Sequence, residues 1–273
     1  TGLFQKIILA DTLLAPVADK VYGQPGNAEF MDAWAGTLAF SGQIFFDFTG
    51  YSNCAIGAAL CLGFALPDNF KFPYGAIGFT DFWRRWHISL STWLRDYLYI
   101  SLGGNRKGRG RALINVMLTM LIGGLWHGAG WRFVVWGGLH GLYLVSERGM
   151  RKSFEGFAFF SRTGTRVGLA LLTYFFLCVT WVFFRAENLT SALTLASEMF
   201  QPGGAGLVGA AEGAIVSFLT VFLLASHWKL RDSSYENWME RIGWRWRGAV
   251  LAFFLISLAL APTDERAFIY FQF

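Results

Sequence analysis

Apolar residues fill long blocks in this chain, and short stretches rich in arginine, glycine and tryptophan separate them. The clearest block is 165–184, TRVGLALLTYFFLCVTWVFF, with Arg166 as its one charge. It has the length that crosses a bilayer core as a helix, about 20 residues. Residues 112–126 and 131–145 are two further apolar runs joined by HGAG; 214–228 is a span of marginal length and 249–260 a short one. The block 30–64 is too long for one ordinary span, and its middle is polar. Gln43, Asp47 and Tyr51 recur every four residues there and line one helical face. Gly50 is expected to break that helix.

Residues 1–22 predict an amphipathic or partly buried helix ended by the turn cluster GQPGN. LPDNFKFPYG at 66–75 is a loop, after which Thr80 or Asp81 is a candidate helix N-cap. From Phe82 to Ile100 a helical wheel places Trp83, Trp86, Leu90, Trp93, Leu94, Tyr97 and Leu98 on one side. Arg84, Arg85, Thr92, Arg95 and Asp96 lie opposite. That pattern predicts one helix lying in the membrane interface, with His87 near the edge of its apolar arc. SLGGNRKGRGR at 101–111 is a basic, glycine-rich loop without the spacing of a phosphate loop. Gly124, Gly128, Gly137 and Gly141 carry the small-xxx-small spacing that lets helices approach closely in lipid.

Composition supports a membrane setting. Only 15% of the 273 residues are charged, against about a quarter in soluble domains. The 12 tryptophans suit interfacial anchoring. The chain is therefore expected to be all-α, a polytopic integral membrane fold forming one unit over 1–273, with the lipid bilayer as its first partner. The net charge of +5 sits mostly in loops 101–111, 146–166 and 229–247. This distribution places those loops in the cytoplasm and gives no reason to invoke nucleic acid. The chain opens at Thr1 without a signal-peptide pattern, and N-terminal transmembrane helices are expected to precede it. Cys54, Cys61 and Cys178 are isolated, as buried reduced thiols are.

The candidate chemistry lies in the histidines. His127, in LWHGAG, follows a 15-residue apolar run and is surrounded by glycines that leave room for a substrate. A neutral imidazole beside an acceptor hydroxyl is a competent general base. Spacing alone leaves His127 between catalysis and a hydrogen bond across a helix interface. Asp47 is open in the same way, between lining a substrate path and joining helices. His140 is expected to pack or support, and His227 to be interfacial. HExxH, HxxxH and GxSxG are all absent, so no metal is expected.

Four stretches carry a resemblance: QIFFDFTGYSNCAIGAALCLGF, FWRRWHISLSTWLRDYLYISLGGNR, LTMLIGGLWHGAGWRFVVWGGLHG and the terminal FIYFQF. Together they resemble the membrane-bound O-acyltransferase superfamily, most closely its bacterial branch that O-acetylates alginate and other polysaccharides. The resemblance implies a multi-helix fold with a central tunnel in the bacterial inner membrane. It implies that His127 is catalytic and that His87 is a second functional position. It also implies a cytoplasmic thioester donor such as acetyl-CoA, no bound cofactor, an exported polysaccharide acceptor and extracytoplasmic acetyltransferase partner proteins. Asp47, Arg85, Trp86 and Ser89 are candidates for the substrate path by proximity to these motifs. The alternatives are D-alanyl transfer of the teichoic acid type, and a transporter or scaffold for acyl donor or polysaccharide.

Overall fold

The computed structural model describes residues 1–154, 162–261 and 268, and every described element is a helix or a turn. A π-helical stretch, Phe4–Leu14, runs into α1 (Ala15–Tyr22). The long α2 (Phe30–Cys61) follows. Two short helices, α3 (Phe79–Trp83) and α4 (Ile88–Trp93), lead into a π-helical turn, Leu94–Tyr99. Then come α5 (Arg109–His127), α6 (Trp131–Phe154), α7 (Thr163–Arg185), α8 (Leu189–Glu198), α9 (Ala210–Leu230), α10 (Tyr235–Arg241) and α11 (Trp244–Ala259).

The first half of α2 is the axis of the core. Every residue from Ala39 to Gly50 is buried, against α1, α7 and α9. At 32 residues it is about 48 Å long, more than a bilayer core is thick. The expected break at Gly50 does not occur. A Cβ at Gly50 would stand 2.7 Å from the carbonyl oxygen of Gly2 and 2.9 Å from the amide of Lys6. Glycine is there so that the N-terminal helix can cross α2 at close range. Asp32, in the first turn of α2, accepts from the amides of Gly206, Leu207 and Val208 and so ties the loop before α9 to the start of α2.

Helices α5 and α6 form a hairpin packed backbone to backbone. A Cβ on Gly124 would lie 2.3 Å from the Phe133 carbonyl oxygen, and one on Gly137 2.3 Å from that of Met120. The close approach expected from the glycine spacing is therefore present, and Gly128, which caps α5, makes room for the Phe133 ring of α6, 2.4 Å from where its Cβ would stand.

Two described helices, α7 and α9, are long and apolar enough to cross a membrane. They are used differently. Helix α7 is half buried inside the protein, whereas α9 turns Ile215, Phe218, Val221 and Phe222 outward. Helix α11 likewise exposes Leu251, Phe253, Leu255 and Ile256. Apolar faces this extensive are at home in lipid.

Three further expectations need correction. The stretch 82–100 is not one interfacial helix. Its helix starts earlier, at Phe79, where the Glu147 carboxylate accepts from the amides of Phe79 and Thr80 and takes the capping role expected of Thr80 or Asp81. The helix ends at Trp83, and the turn after it runs to His87, whose φ of 45° lies in the left-handed region. His227 is buried, not interfacial, with its Nδ1 accepting from the amide of Tyr74. Of the cysteines only Cys178 is buried, and Cys61 is exposed. In the terminal FIYFQF only Phe268 is described; it stacks on Tyr51 at 4.5 Å, and the rest lies outside the described residues.

Candidate active site

His87 sits in the turn between α3 and α4, and backbone pairing holds that turn. The amide of Lys71 donates to the Arg85 carbonyl (2.9 Å) and that of Ile88 to the Asn69 carbonyl (3.0 Å). A left-handed conformation is uncommon for a residue with a Cβ, and it persists where the surroundings enforce it. The imidazole lies edge-on to Phe48, 4.7 Å between centroids. Its Nδ1 is 3.3 Å from Ser89 Oγ, which donates to Asn69 Oδ1 at 2.9 Å. With the hydroxyl proton given to Asn69, Ser89 accepts from Nδ1–H. The lone pair of His87 is then on Nε2. Burial pushes the imidazole down to about 4, partly opposed by a backbone hydrogen bond, so the ring is neutral near pH 7.

His127 is the last residue of α5. Its ring is half buried and edge-on to Trp136 (5.2 Å) and Phe184 (5.1 Å), with Trp126 at 5.0 Å. Arg132 fixes this wall from behind. Its Nη1 donates to the carbonyls of Phe184 (2.9 Å) and Ala186, which end α7, and its guanidinium lies 4.2 Å above the Phe133 ring. The segments of His87 and His127, forty positions apart in the chain, meet through aromatic rings: Trp83 lies 6.0 Å from Trp136, and Trp136 is the wall of His127.

The remaining candidates separate by surroundings. Trp86 is buried among Phe82, Phe70 and Trp181, and it packs the floor beneath the His87 turn. Ser89 belongs to the site through its bond to His87. Arg85 is held in an ionic network: its Nε lies 2.7 Å from Asp81 Oδ1, its Nη1 donates to the Arg231 carbonyl at 2.6 Å, and Arg231 reaches Asp81 Oδ2 at 3.1 Å. That network anchors the His87 turn to the end of α9. Asp47 is one residue from Phe48, which touches His87, and its carboxylate pairs with Lys6 at 3.0 Å. Gln43 is buried with Asp47 while Tyr51 is exposed, so the expected polar face divides at Gly50. A cavity of about 810 Å³ opens beside α2 between Phe45, Phe70, Lys71 and Lys229; neither His87 nor His127 lines it.

Sequence reasoning passed over Asn69, Trp136 and Phe184. Asn69 lies in a proline-bounded loop with no spacing relation to His87. Phe184 lies at the end of an apolar run in which one phenylalanine looks like another.

One cluster adjoining the site has unusual polarity. His140 is fully buried, and neither of its ring nitrogens has a hydrogen-bond partner among the described residues. The indole nitrogens of Trp83, Trp136 and Trp181 are in the same position. An unsatisfied buried polar group costs about 1–3 kcal/mol.

A family model described as the membrane-bound O-acyltransferase family matches residues 5–196, which include both histidine motifs. The chain belongs to the membrane-bound O-acyltransferase family. It is therefore a membrane protein. This acyltransferase-family chain is 40% identical to the probable alginate O-acetylase AlgI of Pseudomonas putida, over all of this chain and 59% of that protein. It is 36% identical to the peptidoglycan O-acetyltransferase of Helicobacter pylori, over all of this chain and 55% of that one. The teichoic acid D-alanyltransferase of Streptococcus thermophilus is 33% identical over 53% of this chain and 37% of its own length. The chain thus spans well under two thirds of the length of these relatives.

Proposed function

We propose that this protein is a multi-pass O-acyltransferase of the bacterial inner membrane. It moves an acetyl group from a cytoplasmic thioester, acetyl-CoA, toward hydroxyls of an exported polysaccharide such as alginate. His127 takes the proton of the acceptor hydroxyl, the oxygen attacks the thioester carbonyl carbon, and the C–S bond breaks to release the CoA thiolate, which is then protonated. His87, neutral and with its lone pair on Nε2, is the second functional imidazole. Extracytoplasmic acetyltransferase proteins complete delivery to the polymer, and a tunnel completed by the rest of the helical wall connects the two sides.

The observation that supports this reading is the packing of the two histidine motifs on shared aromatic rings. Trp83 and Trp86, on the segment that carries His87, meet Trp136 and Trp181, and Trp136 is also the wall of His127. His127 is partly exposed at the end of α5, where the glycine turn begins. Family membership and the O-acetylating relatives support the reaction class. The H. pylori relative favours a second acceptor, a peptidoglycan hydroxyl, with the same chemistry at His127.

The test is His127→Ala in cells, with membrane insertion verified and alkali-released acetate measured on the exported polymer. General-base catalysis contributes about 10²–10⁴-fold, so ester-linked acetate is expected to vanish. Normal acetylation by a folded His127→Ala protein refutes the reading.

A further inference from the structure

We propose that His140 is a positioning residue for His127, acting through Trp136. The inference rests on the reading of His127 as the catalytic residue.

His140 and Trp136 are one turn apart on α6, and their rings are in contact at 4.7 Å. Trp136 in turn meets His127 edge-on at 5.2 Å and 86°. The indole is thus the partition between the two imidazoles. On its other side His140 touches Trp83 at 5.2 Å and Phe82 at 6.1 Å, both on α3, the helix that leads to the His87 turn. One side chain therefore contacts the wall of His127 and the element carrying His87.

Packing alone gives no reason for histidine here. The surroundings are aromatic, the ring is completely buried, and neither nitrogen is paired among the described residues. A phenylalanine of similar shape fits such a niche without desolvating two polar atoms, each of which costs about 1–3 kcal/mol when buried and unsatisfied. The groups that match its chemistry are already beside it. Among the described residues the indole N–H groups of Trp83 and Trp136 are unpaired, each a donor only, and a neutral imidazole offers one acceptor nitrogen. Pairing requires one of these rings to turn until the indole N–H reaches that nitrogen. When Trp136 N–H donates to His140, the indole is fixed in one orientation, and with it the surface against which His127 rests. Rigid support of this kind is what a reacting group requires.

Membrane vesicles containing the full-length protein, given radiolabelled acetyl-CoA, test this with His140→Phe, His140→Gln and His127→Ala in parallel. Thermal unfolding is followed alongside transfer. His140→Phe is expected to stay folded in the membrane and to lose about tenfold in kcat with KM little changed, the rate equivalent of one hydrogen bond. His140→Gln, which keeps an acceptor, is expected to recover part of that rate. An unaltered kcat in His140→Phe overturns the proposal. So does an equal loss in the glutamine variant. Wild-type transfer by His127→Ala refutes the reading of His127 itself, a result distinct from any of these.

Discussion

Gly137→Ala adds a single methyl group where α5 and α6 touch, and the structure sets its consequence. The new Cβ would stand 2.3 Å from the carbonyl oxygen of Met120, short of ordinary contact by about 1 Å. The obstacle is backbone, so no rotamer change relieves it, and the hairpin must open by about that amount. His127 ends α5 while Trp136 precedes Gly137 on α6, so the opening moves the imidazole away from its wall. Overpacking of this kind costs about 1–3 kcal/mol. A displacement of about 1 Å at a reacting group costs about 100-fold in rate. Gly138→Ala is the matched control. There the nearest atom is a flexible Leu121 methyl at 3.6 Å, and helix propensity improves by about 1 kcal/mol. Thermal unfolding and acetyl transfer in membrane vesicles measure both quantities. Gly137→Ala is expected to lose stability and about two orders of magnitude in transfer, and Gly138→Ala to lose neither. Equal behaviour of the two variants refutes the link between hairpin spacing and the position of His127.

Two further outcomes are expected. Asn69→Ala removes the acceptor of the Ser89 amide and hydroxyl and frees the tautomer of His87, so transfer is expected to fall about tenfold with stability nearly kept, as transfer kinetics and thermal melts would report. His87 also carries a pH dependence: burial lowers it from 6.5 to about 4, so the unfolded chain binds a proton before the folded one does. Stability is therefore expected to be fully present above pH 6.5 and to decline as pH falls from 6.5 toward 4. Melts across that window should lose part of their slope in His87→Gln, and an unchanged slope contradicts the buried neutral state.

The order and extent of the helices were largely legible. Apolar runs gave 112–126, 131–145, 165–184 and 214–228, and the helices found are Arg109–His127, Trp131–Phe154, Thr163–Arg185 and Ala210–Leu230. The failures are local and physical. Gly50 looked like a breaker because sequence records a missing Cβ without recording that another backbone occupies its place. The stretch 82–100 has helical periodicity throughout, yet Asn69, from a separate loop, pins the chain around His87 in a left-handed turn that periodicity does not encode. Arg85 and Asp47, candidates for the substrate path, are ion-paired with Asp81 and Lys6; the four-residue spacing of Asp81 and Arg85 is readable in the sequence, whereas Lys6 lies on a distant element.

For His127 the division is plain. That a histidine ends an apolar run and meets a glycine turn is written in consecutive residues, because helix length and the HGAG break are local properties. Its surroundings are fixed by the packed fold alone: Trp136 and Phe184 as walls, Arg132 behind them, and His140 beyond the indole, unpaired among the described residues. Those relations depend on how closely glycine-bearing helices pack, and that distance is set by partners far away in the chain.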